Sequence, residues 1–171
     1  MKDEESMLTE EEKREIEEEI RQHEHKQSAA LEVLKIVQRR RGWVPDEIHD
    51  LAGVLGMTPA ELDALATFYN LIFKKPVGKH VILVCDSVSC WVMGYEKILE
   101  HLTSRIGIGL NGTSSDGLFT LLPVACLGAC DHAPAMMIDE MLYTELTPEK
   151  IDHILKKYRE EKAWKDPSQG I

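Results

Sequence analysis

The four cysteines of this chain are its candidate reactive groups, and they fall into two pairs: Cys85 and Cys90, four residues between them, then Cys126 and Cys130, three between them, with thirty-five residues separating the pairs. Thiolates brought close together repel one another unless a metal balances their charge, so two converging pairs point to a metal site rather than to free thiols. The plain alternative is four unrelated buried cysteines, because a free cysteine packs as a small apolar side chain. Thiol-disulfide exchange lacks its Cys-x-x-Cys motif, and structural disulfides lack an export signal. Spacing leaves the metal open. Structural zinc accepts two cysteine pairs spaced in this way, whereas neither the bacterial nor the plant-type spacing of iron-sulfur ligands is matched. Ser87, Ser89, Gly128 and Ala129 are small enough to let backbone N–H groups approach bridging sulfides, and a zinc knuckle would use the same residues. His132 follows Cys130 by two residues; as four thiols already complete a ligand set, it is not expected to replace one of them.

A scaffold must bring the two pairs together, and the hydrophobic pattern describes one. His80 to Cys85, with four consecutive aliphatic residues, reads as a strand buried on both faces. Tyr95, Ile98, Leu99 and Leu102 repeat at helical spacing, with Cys90 expected to begin that helix. Gly107 to Gly117 reads as loop, and Leu118 to Val124 as a second strand in which Pro123 marks an edge or an end. Ala135 to Asp139 and Met141 to Thr144 suit a hairpin, and Thr147-Pro148 opens a last helix bearing Ile151, Ile154, Leu155 and Tyr158. A strand-helix-strand crossover makes the first two strands parallel, and the hairpin and closing helix complete a small mixed sheet of thioredoxin-like arrangement. Loops leaving the carboxyl ends of parallel strands share one sheet edge. Both cysteine pairs lie in such loops.

The first half of the chain has a different grammar. One apolar template (i, i+3, i+4, i+7) occurs three times: Ala30, Val33, Leu34, Val37; Ile48, Leu51, Ala52, Leu55; and Leu62, Leu65, Ala66, Tyr69. Ser28 is the expected cap of the first of these helices, Arg39 to Arg41 suit its C-terminal dipole, and Thr58-Pro59-Ala60-Glu61 opens the third with a capping box. An acidic helix precedes them, started by Thr9 and Glu12, with Ile16 and Ile20 as a narrow apolar stripe and with Glu10–Arg14 and Glu17–Arg21 as favourable pairs. Phe68, Tyr69, Ile72 and Phe73 are expected in the core, a partner interface being the alternative. The expected fold is α/β: a flexible start over 1–8, a helical bundle over 9–75, a thioredoxin-like domain with a small mixed sheet over 76–160, and a polar tail over 161–171.

Composition narrows the function. Of 171 residues, 43% are hydrophobic and 29% charged, which excludes disordered and low-complexity classes. A formal charge of −10 repels nucleic acid and anionic lipid. No apolar run approaches the roughly 18 residues of a membrane span, and the absence of an export signal makes the expected location intracellular. No Gly-rich phosphate loop follows a strand and no nucleophile-base arrangement occurs, so the chain lacks a substrate site of its own. Between Ile106 and Glu149 there is no Lys or Arg, whereas Asp116, Asp131, Asp139, Glu140, Glu145 and Glu149 are present. If the metal site is an iron-sulfur cluster, these carboxylates oppose the added electron and lower its potential.

The run Cys85-Asp-Ser-Val-Ser-Cys90, then Asp116-Gly117-Leu-Phe119, then Cys126-Leu-Gly-Ala-Cys130-Asp131-His-Ala133-Pro134-Ala-Met136-Met-Ile138 resembles the small, NuoE-type 2Fe-2S subunit of bacterial NADH:quinone oxidoreductase, respiratory complex I. Gly42-Trp43-Val44-Pro45 and Ala66-Thr67-Phe68-Tyr69 resemble the helical region of the same family. The resemblance implies that Cys85, Cys90, Cys126 and Cys130 bind one 2Fe-2S cluster in a thioredoxin-like ferredoxin domain. It implies further that the chain docks on a larger flavoprotein subunit which itself binds NADH and FMN, among the other peripheral-arm subunits on the cytoplasmic side of the inner membrane, and takes single electrons from the flavin. Similar subunits serve NAD-dependent hydrogenases and formate dehydrogenases, and a zinc-stabilised adaptor without redox activity is the alternative of a different class.

Overall fold

The computed structural model describes residues 8–45 and 49–160, and the chain divides into two units, Met1–Pro76 and Val77–Ile171. In the first unit, helix α1 (Glu10–Arg21) starts from a complete capping box: Thr9 accepts from the Glu12 amide while the Glu12 side chain accepts from the Thr9 amide. Its partner α2 (Ala30–Arg41) buries Ala30, Val33, Leu34, Ile36 and Val37 and ends at Gly42, whose φ of 81° places it in the left-handed region and whose N–H donates to Gln38 O at 2.7 Å. Ser28 does not cap this helix. It lies in a 3-10 turn, Lys26–Ala29, that leads directly into α2. Glu17 pairs with Arg21 as expected, but Glu10 engages Lys13, one residue nearer than the expected Arg14.

Helix α3 (His49–Leu55) buries Leu51, Ala52 and Leu55; Ile48, expected in the same stripe, is outside the described residues. Helix α4 (Pro59–Phe68) opens with the Thr58–Glu61 capping box and buries Leu62 and Ala66. The chain beyond α4 returns to α2 through Gln38, whose amide donates to Leu71 O at 2.9 Å and accepts from Phe73 N–H at 2.6 Å. Ile72 enters the core, but Phe68 is 80% exposed and Tyr69 is also at the surface. Both were expected inside; Phe68 lies off the Leu62, Leu65, Ala66 stripe of α4 and so faces away from the core, and Tyr69, next in that stripe, is extended because α4 ends at Phe68.

The second unit is built on a five-stranded sheet of order β2-β3-β1-β4-β5, namely β1 (His80–Cys85), β2 (Gly112–Thr113), β3 (Phe119–Val124), β4 (Met136–Ile138) and β5 (Met141–Tyr143). Strands β1 and β3 pair in parallel, from His80 opposite Phe119 to Cys85 opposite Val124; the other pairings are antiparallel. The unexpected strand β2 arises within the Gly/Asn/Ser-rich loop and reaches only Thr120 and Leu121, so Pro123 lies past the ladder it would otherwise interrupt. The expected single helix after β1 is two: α5 (Val88–Val92) and α6 (Tyr95–Ile106), separated by Met93 and Gly94, whose φ is 104°. With α7 (Pro148–Glu160), α6 covers a core of Ile82, Val84, Ile98, Leu102, Phe119, Leu121, Met136, Ile138, Ile151 and Leu155. His80 is buried there between Phe119 and Tyr158, with Nδ1 2.8 Å from Asp139 Oδ2. Among the described residues no helix is long and apolar enough to cross a membrane.

In the first unit Glu12 is buried although Glu10, Glu11, Lys13 and Arg14 around it are charged and exposed or half-exposed. Arg41 reaches it from the end of α2, with Nε and a terminal nitrogen each 2.7 Å from a carboxylate oxygen. The Arg41 hydrogen bonds outweigh the cost of burial, and the capping bonds from Thr9 add to them, so the Glu12 carboxyl is lowered to about 2. Because the folded value lies below the unfolded one, the contribution is present in full above the ordinary carboxylate range and is lost as pH falls through about 2. Glu12→Gln is expected to destabilise the chain at neutral pH by roughly 2 to 3 kcal/mol, with the deficit shrinking on acidification. Urea unfolding across a pH series measures it; a deficit independent of pH would rule out the ionic contribution.

Candidate metal centre

The parallel β1–β3 pair decides where the cysteines lie. Cys85 is the last residue of β1 and stands opposite Val124, the last of β3, and the Asp86 amide donates to Val124 O at 3.1 Å. The chain carrying Cys126 therefore leaves the sheet beside the chain carrying Cys85. After β1, extended Ser87 leads into α5, which carries Cys90 at its centre. After β3, Gly128 turns the backbone with φ of 77°, and a 3-10 turn, Cys130–His132, packs against α5 with Cα atoms within 8 Å. Return bonds fix this second loop: Cys85 N–H to Ala135 O at 3.1 Å, Glu145 N–H to His132 O at 2.8 Å and Leu146 N–H to Pro134 O at 3.1 Å.

Cys85 and Cys90 are 3% and 1% exposed and pack with Ala133 and Ala135, with Tyr95, Val124, Leu127 and Ala129 laid against them. Cys126 and Cys130 are exposed on the neighbouring loop. The structure thus brings the first two thiols together and sets the second pair on an abutting loop; among the described residues no three His, Cys, Asp or Glu side chains are gathered as around a bound metal ion. Three of the sulfurs, those of Cys85, Cys90 and Cys126, have hydrogen-bonding groups beside them. As a thiol, Cys85 Sγ donates to Ser87 Oγ at 3.4 Å, and the amides of Ser87 and Leu127 favour its ionised form. Cys90 accepts from the Ala135 amide, and Cys126 Sγ accepts from the Gly128 N–H at 3.2 Å. Burial opposes ionisation of Cys85, yet the hydrogen bonds from Ser87, Leu127 and Cys90 outweigh it and hold this thiol below its usual range. Burial pushes Cys90 up, and the neighbouring Cys85 adds to that shift. Amides aimed at sulfur are what a thiolate-bound metal requires in a site partly closed to water.

Residue types alone did not show these donors. Ser87 was legible only as a small residue, and its position two residues after Cys85 is the one signal of its hydroxyl's role. The Leu127 and Ala135 amides leave no trace in side-chain identity. His132 is held by carboxylates, 3.3 Å from Asp131 and 3.4 Å from Glu145, on the exposed side of the turn.

The sequence pattern of the thioredoxin-like 2Fe-2S ferredoxins matches residues 16–159. The chain belongs to that family. Among its relatives, it is 45% identical over 153 residues to the NuoE-type subunit of the NADH-quinone oxidoreductase of Pseudomonas aeruginosa, covering 89% of this chain and 92% of that protein. The corresponding protein of Escherichia coli K12 is 49% identical over 145 residues, covering 84% and 87%. In three dimensions, 78% of this thioredoxin-like ferredoxin superposes on 23% of a chain of an NAD+-reducing NiFe-hydrogenase, with a TM-score of 0.67 and 25% identity. An N-terminal helical region followed by a small mixed-sheet domain is accordingly the fold of this family member, as its sequence led us to expect.

Gly128 and Gly53 separate conformational strain from steric room in this ferredoxin. A Cβ at either position meets nothing within 4 Å, but Gly128 has φ of 77° while Gly53 lies within α3. Gly128→Ala is expected to cost about 1 to 2 kcal/mol and Gly53→Ala to stabilise by about 0.5 to 1 kcal/mol. Denaturant midpoints of the two variants test this, and shifts of the same sign would refute it.

Proposed function

We propose that this chain is the electron-transfer subunit of the NADH-oxidising module of an NADH:quinone oxidoreductase, with Cys85, Cys90, Cys126 and Cys130 as the four ligands of one 2Fe-2S cluster. The observation that carries this reading is the sheet edge where amide-bonded Cys85 and Cys90 meet the Cys126–Cys130 loop, in a chain nearly half identical to the NuoE-type subunits of that enzyme. A 2Fe-2S cluster bound there supplies one-electron carriage and no bond making. This chain's residues do the rest. Cys85 and Cys90 present sulfur from a dry pocket, Cys126 and Cys130 close the set from the outer loop, and the amides of Ser87, Leu127, Gly128 and Ala135 offset negative charge on the thiolates. NADH and FMN belong to a larger flavoprotein partner, beside which this subunit takes single electrons. The assembly, with its other peripheral-arm subunits, sits on the cytoplasmic face of the inner membrane. A hydrogenase module is the second reading, favoured by the superposition at 25% identity; 45% and 49% identity to the quinone-oxidoreductase subunits outweighs it.

Anaerobically purified chain is expected to hold two irons and two acid-labile sulfides and to give an EPR signal after dithionite reduction. Alanine at Cys85, Cys90, Cys126 or Cys130 should each lose or damage the cluster. Full iron and sulfide in one of these variants removes that residue from the ligand set, and one zinc without sulfide in the unmodified chain overturns the redox reading in favour of an adaptor. Asp131, with a side chain 79% exposed beside Cys130, contributes a screened negative charge. Asp131→Asn is expected to raise the reduction potential modestly, as read by a redox titration followed by EPR; an unchanged or lower potential defeats the electrostatic argument.

A further inference from the structure

The loop between α6 and β3 carries an Asn-Gly pair that the fold itself favours. Gly109 to Gly112 form a tight turn, closed by the Gly112 N–H donating to Gly109 O at 3.2 Å. Asn111 sits in it with φ of 62°, the left-handed region that asparagine tolerates better than most side chains. Gly112, the first residue of β2, leaves a side chain little room, because a Cβ there would stand 3.0 Å from the Gly109 oxygen and 3.4 Å from Ile108 Cβ. The turn thus selects two residue types whose combination is chemically labile: a glycine nitrogen has no side chain to shield it from the carboxamide of a preceding asparagine.

Few bonds hold this pair closed. Strand β2 has two residues at the edge of the sheet, and it meets β3 with Gly112 opposite Leu121 and Thr113 opposite Thr120. The Asn111 N–H donates to Leu121 O at 2.7 Å, and the Thr113 and Thr120 hydroxyls lie 2.8 Å apart. So short an edge is among the parts of a fold that open most easily. Asn111 is exposed, and among the described residues its carboxamide has no hydrogen-bond partner. The nearby Asp116–Gly117 pair is held differently. The Ser114 hydroxyl and the Leu118 amide donate to Asp116 Oδ1 and hold its carboxyl below the usual range, so it is ionised and a poor electrophile, and the Gly117 N–H is bound to Ser114 O at 2.8 Å.

We propose that Asn111–Gly112 is a site of spontaneous covalent modification, deamidation through a cyclic imide, gated by release of β2 from β3. When the edge opens, the Gly112 nitrogen attacks Asn111 Cγ and bonds to it, and the side-chain nitrogen leaves as ammonia, taking the Gly112 proton. Water then opens the imide ring at either carbonyl. Opening at Cγ leaves aspartate; opening at the main-chain carbonyl leaves isoaspartate, whose main chain runs through Cβ and Cγ and is longer by a carbon. A chain so lengthened does not keep the Asn111 N–H on Leu121 O and Gly112 opposite Leu121 together, so release of β2 becomes permanent. Strand β3 retains its parallel pairing with β1 and the Gly78 N–H bond to the Thr120 hydroxyl, which leaves the cysteine end of the sheet in place. The reaction requires only this chain and water, whatever metal the cysteines bind.

The test incubates the full-length chain at mildly alkaline pH, folded and in denaturant, and follows it by peptide mapping with mass spectrometry. Asn70, followed by Leu71, is the one other asparagine and serves as the internal control. In the folded chain the amide-to-acid mass gain is expected in the Asn111 peptide alone, with a second chromatographic species of the same mass marking isoaspartate. Thr113→Ala, which removes the cross-strand hydroxyl contact, is expected to speed conversion of the folded chain roughly threefold to tenfold, the equilibrium worth of one net hydrogen bond, and to leave the rate in denaturant unchanged. Three results each overturn the proposal: Asn111 intact in the folded chain over an interval in which the denatured chain converts, Asn111 and Asn70 converting at one rate, or folded Thr113→Ala converting no faster than the unmodified chain.

Discussion

The parallel pairing of β1 with β3 is the constraint on which the rest of the second unit depends. Six residues of each strand run side by side in one direction, so their carboxyl ends reach the same edge together. Had β3 run antiparallel, Cys126 and Cys130 would leave from the opposite end, about 20 Å away by strand rise. A parallel pair needs a crossover, and α5 and α6 provide it. The buried, aliphatic β1 is a consequence, because helices and the second loop cover what a meander would expose. Ala135 leads into the short antiparallel strand β4, and its amide reaches Cys90 while its carbonyl receives the Cys85 amide. One main-chain segment thus serves both members of the first cysteine pair.

At that edge two electrostatic influences act on different scales. Within a few ångströms, amide and hydroxyl dipoles point at sulfur in a pocket with little water, where each acts with little screening. Farther out, Asp86, Asp131 and Glu145 impose a negative field through solvent, weakened by salt. The near dipoles favour added negative charge and the outer carboxylates oppose it. A partner covering the outer surface would strip water from the carboxylates and set its own charges against them, so the balance belongs to the assembled module more than to the isolated chain.

The first unit is secured by other means. Its helices are short, and short helices gain stability chiefly from packing. The Glu12–Arg41 pair ties the start of α1 to the end of α2, with opposite charges where the helix dipoles favour each of them. Gln38 does the equivalent for the chain beyond α4, satisfying one carbonyl and one amide that would otherwise lack partners inside the protein.

The sequence by itself determined the element types, both capping boxes, the parallel order of β1 and β3, and the cysteine pairs that the family resemblance interpreted. Each of these is written in local period, spacing or cap chemistry, which act within a few residues. It misplaced Tyr69 because a helical period gives the face a residue occupies and not the point at which the chain turns away, and it misplaced Phe68 by residue type, against a period that sets it off the apolar stripe. It took α5 and α6 as one helix, although Gly94 marked the break, and it missed β2, whose two residues owe their extended form to Thr120 and Leu121 rather than to their own preference. The burial of Glu12 and the sulfur-directed amides of Leu127 and Ala135 were decided only by tertiary structure. Those properties depend on which backbone groups and side chains from distant segments arrive at a site, and no residue carries that information in its own identity.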